Sequence, residues 1–484
     1  MSSMFSESSQ PAANYAWARI STLQWLFAVL IVGALVAFNR WAPAIAAVLC
    51  FLSLWALRGP YWALQSLALA TFIKLLNPAL VSFPDNSGGL FWLVILCSVV
   101  RILCSLKRRH LVRVAPIWLF SAVALMTSIF SSPAVAISIM KVISFAALVG
   151  AVLIATDDLP DDKLQRLLSW YFSLAITVLI ASLATLVRPN IAFFLNGKGL
   201  QGILNHPQSL GVIAAPIAAA TLTVAFLERT GLKVTHVALT GAVCTVLMLS
   251  QARTAAIAAF AGLLASIVAN GTSAGNRRGE PVALRLVILF TLIACTLTAV
   301  QLKTGAVAPA IESFVLKRGG SSVEDAFLES RGLGAVEEFR NFVRRPLTGN
   351  GFGVYPSGDF PEGVVTIAGI PISAPVEKGF LPTAVLEETG LFGGIAFVYL
   401  VLSLAIPAWK GGSLPLLAAF VACLFVNVGE ENLLSPSGIG YYLWMLIGLA
   451  ARNGRTATAA ALPQPLPRQD RISDVPRHFP NLMR

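Results

Sequence analysis

Apolar runs long enough to cross a bilayer recur along almost the whole chain, and they limit what it can fold into. Hydrophobic residues make up 56% of its 484 residues, and the mean hydropathy is +0.77. A water-soluble domain could not bury so much apolar surface. Backbone polar groups in lipid must be paired internally, and the runs lack the alternation of barrel strands, so each run is predicted to be a helix. The sequence therefore predicts an all-α polytopic membrane protein, a helical bundle.

The apolar runs predict about 12 to 14 transmembrane helices. They divide the chain into N-terminal transmembrane helices (1–302), a large polar loop (303–381), C-terminal transmembrane helices (382–452) and a disordered tail rich in Ala, Pro and Arg (453–484). The loop is far longer than ordinary connections, and we expect it to contain helices and most of the chemistry. The predicted spans are residues 22–38, 41–57, 61–80, 90–104, 114–130, 134–155, 167–187, 208–227, 234–249, 254–269, 282–302, 382–408, 413–428 and 438–451.

Basic residues are concentrated in the loops on one side of the predicted membrane. The positive-inside rule makes that side cytoplasmic, together with both chain termini, and puts the large loop outside. The formal net charge of +12 has the same origin, so no nucleic-acid partner is expected. The inner side includes Lys107, Arg108, Arg109, Arg113, Lys163, Arg166, Arg229, Lys233 and Lys410, whereas the outer short loops carry Arg40, Arg188, Lys198 and Arg253.

Four short motifs follow one another between residues 202 and 393. Residues 202–208 (GILNHPQ) precede a span, and residues 250–254 (SQART) lie between two spans. Residues 341–353 (NFVRRPLTGNGFG) follow Ser330 and Arg331 and complete an amphipathic helix that Pro346 should end, with a glycine turn after it. Residues 388–393 (ETGLFG) open the next span. In this order the motifs resemble the O-antigen ligase and Wzy-type polymerase superfamily of bacterial inner membranes, over about residues 201–397.

The resemblance implies glycan transfer at the periplasmic face of the inner membrane. The donor would be an undecaprenyl-diphosphate-linked oligosaccharide, and a sugar hydroxyl of the acceptor would attack its anomeric carbon. No cofactor, nucleotide sugar or metal is implied, and the six cysteines, all in apolar runs, show no metal-ligand spacing. Besides the lipid bilayer, a chain-length regulator and a flippase are candidate partners.

Ligases of this superfamily carry a histidine before the E-x-G-L-x-G motif, where this chain has Glu377 and Lys378. We therefore favour polymerisation of an exopolysaccharide or O-antigen over ligation to lipid A core. A rival function of another class is a lipid-linked oligosaccharide flippase or other transporter. That function predicts charges buried in several spans and short outer loops, whereas the ionisable residues here concentrate in one long outer loop.

Fixed cations are expected to bind the donor diphosphate and to stabilise the charge that grows on it as it leaves. The resemblance assigns this role to Arg253 and Arg331, and Arg188, Lys198 and Lys378 are further candidate contacts. Two alternatives are structural. Arg253 could be an arginine that snorkels to the membrane interface, and Arg331 could form a salt bridge within the loop.

Three residues are candidates for accepting the proton of the acceptor hydroxyl. Glu377 occupies the segment where the ligases have histidine, and a carboxylate can act as the base. Glu388 belongs to the E-x-G motif, but at a helix start it could instead cap the helix or pair with a cation. His206 is the only histidine on the predicted outer side, but beside Pro207 it could be a turn residue.

Overall fold

The computed structural model describes residues 42–81, 83, 88–195, 197–227, 234–272, 332–358, 365–367, 370–373, 378–411 and 413–461. Helices dominate these residues, and 3-10 turns at Thr185–Val187 and Val426–Val428 extend two of them. In chain order the elements are α1 (Ala42–Ala56), α2 (Pro60–Lys74), α3 (Gly88–Leu103), α4 (Arg108–Arg113), α5 (Ala115–Ser131), α6 (Val135–Asp158), α7 (Asp161–Ala184), α8 (Pro189–Ala192), α9 (Pro207–Leu227), α10 (Val234–Leu249), α11 (Arg253–Thr272), α12 (Leu333–Arg344), β1 (Val365–Ile367), β2 (Ile370–Ser373), α13 (Leu381–Lys410), α14 (Leu414–Phe425) and α15 (Ile439–Ala461).

Five of the described helices are long and apolar enough to cross a membrane: α6, α7 with its 3-10 extension, α9, α11 and α13. Five more apolar helices are shorter, namely α1, α3, α5, α10 and α14. This composition confirms the predicted all-α polytopic membrane protein. The predicted spans 22–38 and 282–302 lie outside the described residues, so the total of about 12 to 14 crossings stays a prediction.

The second helix is shorter than its apolar run. α2 ends at Lys74, six residues before the predicted end at residue 80. The chain leaves the helix there because it pairs with a distant loop. The Asn77 N–H donates to the Ile203 carbonyl at 2.8 Å, and the Asn205 N–H donates to the Leu75 carbonyl at 2.7 Å.

The last helix is longer than its apolar run. α15 continues to Ala461, so residues 453–461, which the sequence analysis assigned to a disordered tail, are helical. Two ion pairs hold this extension against the bundle. Arg452 lies 3.1 Å from the Asp161 carboxylate, and Arg455 lies 3.2 Å from Asp157. Residues 462–484 lie outside the described residues.

Contacts between segments that are far apart in sequence define two ends of the bundle. We call one the basic end. It contains Lys107 and His110, both paired with Asp158, and the ion pairs of α15 described above. We call the other the motif end, because it contains residues 199–207, 250–254 and 345–353. Lys107 and Arg113, which the sequence analysis placed in the cytoplasm, lie at the basic end, and the side of the membrane that this end faces stays a prediction.

Four large buried aromatic residues, three in α15 and one in α7, hold α15 in the centre of the bundle. Tyr441 donates its hydroxyl to the Leu64 carbonyl of α2, and Tyr442 donates to the Ile213 carbonyl of α9. The indole N–H of Trp444 donates to the Leu433 carbonyl at 2.8 Å, which ties down the loop before α15. Tyr171 stacks on Tyr442. Buried hydroxyl and indole groups need such partners, so this network fixes the loop at residues 429–438.

Within the predicted polar loop, the structure describes one long helix, a glycine turn and a hairpin. The predicted amphipathic helix is confirmed as α12, which ends at Arg344. The predicted glycine turn follows it at residues 345–353. β1 and β2 pair antiparallel, with Ile367 opposite Ile370. The sequence analysis predicted no strand in this loop.

Candidate functional site

The motifs that carry the family resemblance meet at the motif end. A Cβ on Gly199 would lie 3.0 Å from both the Pro207 side chain and the Ser250 carbonyl, so the first two motifs are in close contact. A Cβ on Gly429 would lie 2.2 Å from the Thr254 hydroxyl, which brings the loop before α15 onto the second motif. The third and fourth motifs also dock on each other, as described next.

The glycine turn at residues 345–353 docks on a break in α13. Gly390 has φ 65° and ψ −168°, which interrupts the helix. The Asn350 and Gly351 N–H groups donate to the carbonyls of Glu387 and Glu388, and the Leu391 N–H donates to the Pro346 carbonyl. These bonds satisfy backbone groups that the break leaves unpaired. The two motifs therefore form one structural unit.

Beside this unit lies a buried ionic cluster, formed by Lys378, Glu387, Glu388 and Glu431. The Lys378 ammonium lies 2.9 Å from one carboxylate oxygen of Glu387 and 2.9 Å from one of Glu388. The Lys378 side chain is only 4% exposed, and Glu388 is fully buried. The Asn341 amide of α12 donates to the other Glu387 oxygen at 2.8 Å. Buried charges are costly unless they are paired, and here the Lys378 ammonium pairs with both carboxylates.

The protonation of the cluster follows from its charges. Burial alone would lower the pKa of the Lys378 ammonium, but Glu388, Glu387 and Glu431 outweigh it and raise that pKa, so Lys378 is charged. Burial raises the pKa of Glu431 well above its ordinary range, and the neighbouring Glu388 raises it further. Glu431 therefore favours its protonated form more strongly than an exposed glutamate does.

Two further polar side chains surround the cluster. Glu338 of α12 accepts hydrogen bonds from the Gly379 N–H and the Thr383 hydroxyl, and burial raises the pKa of its carboxyl group. Lys141 of α6 donates to the Gly353 carbonyl at 2.5 Å, which joins the glycine turn to a membrane-crossing helix. Among the described residues, no group of His, Cys, Asp or Glu side chains is arranged to hold a metal ion.

The structure brings together only some of the predicted site residues. Lys378 and Glu388 are in contact, as an ion pair. Arg253 begins α11 and is half-buried. It lies two residues after Gln251, the only non-glycine residue with a positive φ (54°) in the described part of the chain. Glu377 and Arg331 lie outside the described residues, so their assigned roles stay predictions.

Three other predicted residues lie at the motif end but outside the ionic cluster. Arg188 and Lys198 are exposed. His206 accepts the Gln208 N–H on its Nδ1 at 3.1 Å, so one ring nitrogen caps the first turn of α9. That contact favours the turn role for His206 over a role as the proton acceptor.

One expectation about Glu388 is wrong. It does not start a helix, because α13 begins at Leu381 and Glu388 lies just before the break at Gly390. The helix dipole at an N-terminus therefore does not account for this carboxylate, and its partner is Lys378. Sequence reasoning also missed Glu387 and Lys141, although an acidic pair and a lysine within apolar runs are signals of a polar partner.

No protein-family model matches this chain, and no curated protein is significantly similar to it in sequence.

Proposed function

We propose that this protein is a polysaccharide polymerase. It transfers a polyprenyl-diphosphate-linked glycan onto a sugar hydroxyl at the periplasmic face of a bacterial inner membrane. One observation carries the proposal: segments that resemble the superfamily motifs, far apart in sequence, come together at one end of a membrane-embedded bundle, beside a buried cluster of ionisable groups.

The proposed reaction divides the work between cations and a carboxylate. The acceptor oxygen forms a bond to the anomeric carbon, and the bond from that carbon to the diphosphate oxygen breaks. The lipid diphosphate leaves with the electron pair, and Arg253 and Arg331 hold its charge. The hydroxyl proton passes to Glu377. Glu388 is already paired with Lys378, so we assign it the positioning of this segment.

The direct test uses the full-length protein in nanodiscs. Its donor is the lipid-linked oligosaccharide extracted from a deletion strain of the source bacterium. The parent protein should lengthen the glycan and release lipid diphosphate, measured on gels and by mass spectrometry. Arg253→Ala should lose about 10²- to 10³-fold in rate, as removal of one charge-stabilising donor does. The control is Arg166→Ala, an exposed residue at the basic end, which should leave the rate unchanged.

Two other results of this assay would identify a different function. Transfer onto lipid A core without chain growth would identify a ligase. Movement of the donor between leaflets without a new glycosidic bond would identify a transporter.

The proton acceptor can be tested separately. Glu377→Gln should lose about 10²- to 10⁴-fold in turnover while it still binds the donor, because only the base is removed. His206→Ala and Glu388→Gln are measured beside it. If Glu377→Gln turns over at the parent rate and one of the others is inactive, the base is that other residue.

A further inference from the structure

Helix α12 shows three different faces around its axis. The first face carries Glu338 and Asn341, which are buried against the start of α13 through the hydrogen bonds to Thr383 and Glu387. These contacts fix the rotation of the helix about its axis. The other faces therefore have defined directions.

The second face is an apolar strip without a described protein cover. Val336, Phe339 and Val343 recur at i, i+3 and i+7, so they lie in one row along the helix. Their exposed fractions are 43%, 50% and 58%. A row of large apolar side chains that faces away from the protein indicates contact with another apolar phase.

The third face is basic and borders the apolar strip. Arg340 and Arg344 are exposed and lie one turn apart, and Glu337 is exposed on the same side. Arg345, just after the helix, is exposed as well. An apolar strip beside a basic strip is typical of helices that lie in the headgroup region of a bilayer, with arginines at the lipid phosphates.

The apolar strip of α12 is continuous with the outward face of a membrane-crossing helix. Leu347 follows the strip and is half exposed, and the neighbouring Pro346 carbonyl accepts the Leu391 N–H of α13. From there Phe392, Ile395 and Val398 continue along the exposed side of α13. An apolar surface that continues from a membrane-crossing helix onto α12 indicates that both helices face the same apolar surroundings.

We propose that α12 is an interfacial helix. Val336, Phe339 and Val343 insert into the bilayer leaflet at the motif end, and Arg340 and Arg344 contact the lipid phosphates. The bilayer is the occupant that fits both strips, because it offers hydrocarbon and phosphate at adjacent depths.

The test measures membrane contact at single positions. The six native cysteines of the full-length chain are replaced, and Val336→Cys, Phe339→Cys and Val343→Cys are spin-labelled one at a time in nanodiscs of phosphatidylethanolamine and phosphatidylglycerol. Oxygen concentrates in the hydrocarbon, whereas a nickel chelate stays in water. The ratio of oxygen to nickel relaxation should be about tenfold higher at these positions than at the matched control Glu337→Cys.

Two outcomes would overturn the proposal. If nickel relaxes the label at position 339 as strongly as at position 337, the strip faces water. If neither reagent reaches positions 336, 339 and 343, another part of this chain or a second copy covers the strip. A further variant checks the cause. Phe339→Glu should make the label at position 336 nickel-accessible, whereas unchanged relaxation there would contradict insertion of the strip. These measurements do not depend on any glycan transfer.

Discussion

At the scale of single residues, Lys378 is the centre of the candidate site. It is the counter-charge of two buried carboxylates, and removal of one partner from a buried ion pair leaves an uncompensated charge. We expect Lys378→Met to destabilise the protein by about 3 to 5 kcal/mol, measured by thermal unfolding in detergent. The exposed Lys163→Met at the basic end is the control and should change little.

A double variant distinguishes charge loss from packing loss. Glu388→Gln removes one of the carboxylates that Lys378 neutralises, so adding it to Lys378→Met should restore about 1 to 2 kcal/mol. Strictly additive losses in the two single variants would contradict a pairwise ion contact.

Glu431 makes the stability depend on pH. Its pKa in the folded protein is raised above the ordinary value of 4.5, so its contribution is complete below that value and is lost as pH rises through the folded pKa. The unfolding temperature should therefore fall as the pH rises above 4.5. Glu431→Gln should reduce this fall, because the amide has no proton to lose.

Two neighbours bear on the same measurement. The raised pKa of Glu338 acts in the same direction, so Glu338→Gln should remove a further part of the slope. The pKa of Lys378 is raised from a value that is already 10.5, so its contribution is constant over this pH range. Parallel curves for the parent protein and Glu431→Gln would contradict a proton on Glu431.

At the scale of elements, the docking of the glycine turn on α13 depends on Gly390. Its φ of 65° is strained for other residues, and a Cβ would lie 2.2 Å from the Leu347 carbonyl. We expect Gly390→Ala to cost at least about 1 to 3 kcal/mol in the free energy of unfolding.

The matched control for this prediction lies in α12. Gly334 is helical and has open space around its Cβ position, so Gly334→Ala should stabilise the helix by up to about 1 kcal/mol. Equal effects of the two substitutions on the unfolding temperature would show that the break in α13 imposes no constraint on residue 390.

At the scale of the whole molecule, the two ends of the bundle predict an orientation. The basic end should face the cytoplasm and the motif end the periplasm. In a cysteine-free chain, a membrane-impermeant maleimide should label Gly358→Cys in intact spheroplasts, and it should label Arg166→Cys only after the membrane is opened. The reverse labelling pattern would show the opposite orientation in the membrane, and the proposed site would then face the cytoplasm.

Much of the architecture could be predicted from the sequence because each crossing helix is a local property of an apolar run. Within the described residues every predicted span coincides with a helix. The predicted ends of α2 and α15 were wrong because distant partners intervene, and α7 begins at Asp161, six residues before its predicted span. Asn77 and Asn205 end one helix, and Asp157 and Asp161 hold the extension of the other. Contacts between residues that are far apart in sequence cannot be predicted from local hydropathy.

The sequence by itself determined the class of protein, because the length of an apolar run decides whether a helix can cross lipid, and that length is read along the chain. It also determined the amphipathic α12, through the spacing of its apolar residues and the stop at Pro346. Only the tertiary structure decided which charges are partners. Lys378, Glu388 and Glu431 meet because helix packing folds the glycine turn onto Gly390 and brings the 429–438 loop beside them. The strength of an ionic contact depends on distance and burial in three dimensions, and neither follows from the order of residues.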